Sequence, residues 1–144
     1  MGSAASYGFT EEQWISGTER VLKQLTLVEK EVLVVPGTPA LGFDGPGCVF
    51  RDHSETNDIE RCKAKGGYKS VEMLTGYLVE AARGFDTAKV VDLNDIVCGS
   101  EFCYAQTLNH ELVFRDSQHL TDSFVLEQLP VIKSRMEDVL KSPH

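Results

Sequence analysis

No stretch of this chain is apolar over the roughly 18 to 20 consecutive residues that a bilayer-spanning helix needs. The sequence therefore predicts no direct membrane insertion by this segment. The start also lacks a basic segment followed by an apolar core, so no signal peptide is read there. Met1-Gly2-Ser3 reads as an added start, and residues 1–9 as a tag remnant and flexible N-terminus. Any export signal or anchor is then expected upstream. Positive charge is scarce: 14 Lys and Arg face 22 Asp and Glu, for a net charge of −8. That balance argues against nucleic acid as a partner and against charge-driven docking on an anionic membrane. Internal repeats and low-complexity segments are absent as well.

What remains is an ordinary globular composition, 42% apolar and 25% charged over 144 residues, enough to bury a core. We expect one α/β domain over residues 10–144. Thr10-Glu11-Glu12-Gln13 has the form of a capping box, and Trp14, Thr18, Val21, Leu22, Leu25 and Val28 recur at helical spacing. The spacing predicts a helix over about 11–29. Trp14 is read as a core or boundary aromatic. Val32 to Val35 is a short continuous apolar run ended by Pro36-Gly37, the pattern of an interior parallel strand. Its sequence partner would precede residue 10, and no such strand is present. The edge of this strand is then open, and edges invite pairing, so a homodimer, a domain swap or poor solubility is expected.

From Pro36 to about Lys69 the chain reads as loop, with three prolines, several glycines and the charged stretch Arg51 to Arg61. His53 lies in it and is read as a solvated histidine or, less simply, a substrate contact. A single turn of helix is expected around Asn57 to Arg61. Ser70 is a candidate cap for a helix carrying Val71, Leu74, Tyr77, Leu78, Ala81 and Ala82, with Gly84 at its end. Ala88 to Leu93 is the next strand, so strand, helix and strand form a parallel crossover. Asp92 is either functional, near the strand's carboxyl end, or a cap for the Asn94-to-Val97 turn.

The four cysteines fall in two local pairs, Cys48 with Cys62 and Cys98 with Cys103. An even count in local pairs favours two disulfides and an oxidising compartment. A zinc site drawing on His53, His110 or His119, and free thiols, are the alternatives. Tyr104 to Gln106 and Leu112 to Phe114 suggest a small hairpin. After it comes Asp116-Ser117-Gln118-His119, an Asp and a His one turn apart. A carboxylate at that spacing can hold the proton on Nδ1 and leave Nε2 as a base. Asp116 and His119 are the candidate catalytic residues; no cofactor or metal is assigned. Thr121 caps a last helix that runs to about 141, with Pro130 expected to kink or interrupt it.

Asp116 to Thr121 resembles the last block of the SGNH hydrolases, in particular the SGNH domains fused to membrane O-acyltransferases of the type-three acyltransferase family. Val35-Pro36-Gly37-Thr38-Pro39 before a Cys loop is similar too. So are the Val-Val-Asp-Leu strand with its Cys98–Cys103 turn and the approach Leu112-Val113-Phe114-Arg115. The likeness runs from about Trp14 to Leu129. It implies a flavodoxin-like three-layer sandwich with an incomplete parallel sheet and a small C-terminal hairpin. It also implies His119 as base and Asp116 as its orienting partner, acting on acyl esters of cell-surface glycans. A periplasmic or extracytoplasmic location follows, tethered to a membrane domain absent from this chain. The family's Gly-Asp-Ser nucleophile block and its Gly-x-Asn-Asp block are missing here. Ser6, Ser16, Ser70, Ser100 and Ser123 sit in no strained strand-to-helix turn. The expectation is thus the C-terminal portion of an SGNH domain, inactive alone, with a non-catalytic glycan- or protein-binding module as the alternative.

Overall fold

A computed structural model of the chain describes residues 8–28, 31–51, 59–67 and 69–142. Among these the protein is mixed α/β, with five α-helices and two small sheets. The chain divides into two compact units. The first takes residues 8–28, 31–37, 71–92 and 133–142 of the described chain, and the second takes 38–51, 59–67, 69–70 and 93–132.

In the first unit, α1 (Glu11–Leu25) opens with the expected capping box: Thr10 and Gln13 exchange side-chain and backbone hydrogen bonds. The helix ends earlier than the spacing suggests. Thr26 turns its hydroxyl onto the Leu22 carbonyl (2.9 Å) and closes the last turn. β1 (Val32–Val34) pairs in parallel with β3 (Ala88–Val90), Leu33 opposite Lys89. α3 (Lys69–Ala82) lies between the two in sequence, which gives the parallel crossover its helix. Ser70 falls inside α3 rather than before it. Gly84 takes no positive φ, so a left-handed glycine stop does not form; Phe85 N–H closes the end on the Ala82 carbonyl (3.0 Å) instead.

Leu22, Ala82 and Ala88 make this unit's buried cluster, with Val32, Val34, Phe85 and Val90 packed on it. The cluster is small, and beside it a groove of about 570 Å³ is lined by Trp14, Val21, Leu25, Leu33 and Leu78 among others. Trp14 is half-buried and meets Phe9 edge to face at 6.4 Å, as a boundary aromatic does. The end of α5 (Asp122–Lys141) is closed by Lys89, whose Nζ donates to the carbonyls of Leu140 (3.0 Å) and Ser142 (2.8 Å). A cation there meets the negative end of the helix. Pro130 does not interrupt α5. The helix runs through it, and Pro130 is exposed, so the carbonyl it leaves unbonded can be met by water.

The second unit is built differently. What reads in sequence as a long loop holds α2 (Gly45–Arg51), a 3₁₀ turn (Ile59–Arg61) and β2 (Lys63–Lys65). Asp44 starts α2 by accepting the Gly47 N–H on Oδ1 (3.1 Å). β2 pairs antiparallel with β4 (Phe102–Tyr104). α4 (Asn94–Val97) starts after Leu93, whose side chain makes no cap bond; the Asp92 carbonyl accepts from Arg135 (3.2 Å) within the first unit. The expected hairpin exists as a bridge between Gln106 and Leu112, its turn carrying His110 at φ 63°.

Both cysteine pairs are disulfides: Cys48–Cys62 and Cys98–Cys103. That disposes of cysteine as a zinc ligand here, and it is compatible with an extracytoplasmic protein. Cys62, Cys98 and Cys103 are buried in one cluster with Leu41, Ala105, Val113, Phe114 and Phe124. Gly67, at φ 50°, backs onto the turn of the second disulfide so closely that a Cβ would fall on the Gly99 carbonyl oxygen. No helix among the described residues is long and apolar enough to cross a membrane.

Candidate functional site

Phe114 and Leu120 bridge as an antiparallel pair, and Arg115 N–H donates to the His119 carbonyl (2.9 Å). Residues 116–118 are therefore the tip of a closed loop. Phe114, fully buried, pins one side of the loop, and Leu120 packs on the same cluster from the other. Thr121 anchors the exit. Its hydroxyl donates to the Leu112 carbonyl (2.5 Å) and accepts the Phe124 N–H (3.2 Å), the N-cap bond of α5 expected from the sequence. The tip itself is held from outside. The Ser117 carbonyl accepts from the N–H groups of Leu41 (2.9 Å) and Gly42 (3.3 Å).

On this frame the Asp-x-x-His spacing closes as the sequence suggests. Asp116 Oδ1 accepts the backbone N–H groups of Gln118 and His119, each at 2.8 Å. Its other oxygen, Oδ2, meets His119 Nδ1 at 2.7 Å. The carboxylate is thus fixed by two main-chain donors before it reaches the ring, an Asx-type turn that leaves Oδ2 one direction to point. Those two N–H groups are the main reason the Asp116 carboxyl lies well below the usual carboxylate range, at about 2; His119 adds to them. Asp116 is ionised at neutral pH in consequence. A carboxylate on Nδ1 holds the proton there and leaves the lone pair on Nε2. Both side chains are 46% exposed.

The structure brings together Asp116 and His119 and, among the described residues, adds no serine to them. Among the described residues, the His119 side chain hydrogen-bonds to Asp116 alone. Ser16 and Ser123 make local bonds at helix starts, to Gln13 and Thr121. His53 lies outside the described residues. Among those described, no group of three or more His, Cys, Asp or Glu converges as a metal site would.

Two polar groupings in the second unit escape a reading of the sequence. Glu127 on α5 shares a hydrogen bond with Glu111 from the hairpin, and this neighbour raises the Glu127 carboxyl above its ordinary value. Lys63 on β2 pairs with Glu60 and sits 4.0 Å from the centre of the Phe102 ring, while Tyr104 donates to Glu60 (3.1 Å). Neither has a spacing signal, because each joins residues from separate elements. The comparisons bring nothing to set beside this geometry: no family model, no curated protein and no solved structure matches the chain.

Proposed function

We propose that this chain supplies the base and its orienting carboxylate for acyl-ester chemistry of the SGNH type, on O-acyl esters of cell-surface glycans. The observation that carries the reading is the 2.7 Å contact of Asp116 Oδ2 with His119 Nδ1. In such a site Nε2 takes the proton of a hydroxyl as that oxygen attacks the ester carbonyl, then returns it to the departing alcohol. Asp116 keeps the ring in the tautomer and orientation this requires. The hydroxyl comes from a serine block outside the described residues. The parallel pairing of β1 and β3 around α3 supports a flavodoxin-like sheet as the parent fold, since strand, helix and strand is its repeating unit.

The test is hydrolysis of a small acetyl ester by the chain together with any segment encoded upstream of it. His119→Ala abolishes the activity. Full rate in that variant removes the assignment. One observation favours the alternative, a non-catalytic α/β module that binds a glycan or a protein: no described serine meets His119. Under that reading the His119→Ala chain keeps its ligand and no ester is turned over.

The expected homodimer also stays a proposal. Val32 donates its N–H to Thr87 and Val34 accepts from Val91, so in a parallel ladder the N–H and C=O of Leu33 turn to the other edge of β1. A second copy pairing there gives a dimer by light scattering, and a clean monomer counts against it.

A further inference from the structure

A hollow of about 370 Å³ in the second unit is lined by Phe43, Cys48, Arg51, Arg61 and Cys62. Two guanidinium groups on one hollow are unexpected in a chain of net charge −8. Their convergence has a covalent cause. Arg51 follows Cys48 by one turn of α2, and Arg61 immediately precedes Cys62, so the disulfide that joins the two segments brings both arginines to its own flank. The Cα atoms it links are 5.9 Å apart.

The arginines are not equivalent in what they offer. Arg51 Nε donates to the Gly47 carbonyl at 2.7 Å, which fixes the side chain along the helix. Its two terminal nitrogens have no acid partner among the described residues. The acid that caps this helix, Asp44, directs Oδ1 to the Gly47 N–H instead. What Arg51 presents is therefore the outer fork, two parallel N–H directions whose spacing matches the two oxygens of a planar carboxylate. Arg61 lines the same hollow and holds an interaction of its own. Phe43 and the disulfide sulfurs supply an apolar wall, of the kind that takes the C–H face of a sugar or other small ring. The volume lies within the range of about 300–1,000 Å³ usual for small-molecule sites.

We infer that this hollow is a binding site for a ring-bearing carboxylate, of the chemical class of a uronic acid residue in a glycan. The carboxylate takes the fork of Arg51 with Arg61 beside it, and the ring lies on Phe43. The site is separate in its residues from Asp116 and His119, and it does not draw on the acyl-ester reading; either can fail while the other holds.

The experiment is a titration of the isotope-labelled chain with glucuronate, followed by amide shifts, with glucose and inorganic phosphate as companions. Glucuronate produces saturable shifts in α2 and around Arg61, with a dissociation constant on the order of 1 mM, as expected of a single small-molecule contact of this type. Arg51→Gln weakens it by about tenfold or more, the loss expected when a charge-assisted fork is removed. Arg51→Lys restores only part, because an ammonium keeps the charge and loses the fork. Should Arg51→Gln disturb the circular dichroism spectrum, Arg61→Gln provides the same reading from the other charge. The inference is overturned by shifts that do not saturate, by equal binding of glucose, by tighter binding of phosphate, or by unchanged affinity in both arginine variants.

Discussion

The two units reach order by opposite routes. The first is regular: a capped fifteen-residue helix, a crossover helix and a parallel pair of strands, around a core of three small or medium side chains. It leaves apolar surface in view, with Val21 58% exposed beside the groove. The second has an antiparallel pair of strands, isolated bridges and short helices, yet it buries a continuous cluster and carries both disulfides. The difference teaches where polar groups can be aimed. Regular elements satisfy their own N–H and C=O groups except at their ends, so they hold side chains only there. The irregular unit has main-chain donors to spare, and it spends two on Asp116 and two on the Ser117 carbonyl.

Four experiments break or sharpen this contrast. The largest effect is expected from Phe114→Ala, which empties a fully buried ring site and costs about 3–5 kcal/mol by chemical denaturation. Faster hydrogen exchange should follow at Ala105 and Val113. An equal rise in β1 would mean that the two units open together. Replacing Cys48 and Cys62 with Ala follows at about 3 kcal/mol, from the entropy of the longer closed loop, against about 2 kcal/mol for the Cys98–Cys103 pair. Next comes Leu22→Ala, at about 2–3 kcal/mol, because its small cluster borders an open groove and can collapse. Exchange should quicken in α1 and β1, and a cost as large as that of Phe114→Ala would erase the contrast.

The smallest effect is a titration. The folded Asp116 carboxyl is depressed to about 2, so what it contributes to stability is in place above the ordinary carboxylate value of about 4. That contribution is lost as the pH falls from there through about 2. The amide shifts of Gln118 and His119 should stay flat through pH 4 and move together only near 2, and Asp116→Asn should remove the step. A midpoint in the ordinary carboxylate range would show the turn to be loose.

Much of the first unit is legible in the sequence. Period and capping residues point to α1, and the run from Val32 and the strand from Ala88 announce a parallel pair, because local patterns decide them. The misses sit where tertiary contacts decide. β2 is Lys-Ala-Lys, which has no strand pattern; it extends because β4 offers it a ladder. α2 carries two glycines and a proline in seven residues, and it stands on its Asp44 cap and on the Cys48 staple. Gly84 had the right residue type for a helix stop, but the chain closes without it. At the candidate site, the Asp116–His119 contact follows from spacing alone. The two main-chain donors that aim the carboxylate do not, since they depend on the path of the backbone at the loop tip. The pairing of Arg51 with Arg61 is likewise invisible until the cystine is drawn.

One missing methyl group has a reach out of proportion to its size. Gly67 lies where a side chain would strike the carbonyl at Gly99, and so the tight turn beyond it can close only over bare backbone. A library randomised at both Gly67 and Gly37, and sorted for secretion, should return glycine at the first and almost anything at the second, where nothing stands within 4 Å. The tolerance of this scaffold to change would then be set by how near one stretch of main chain passes to another.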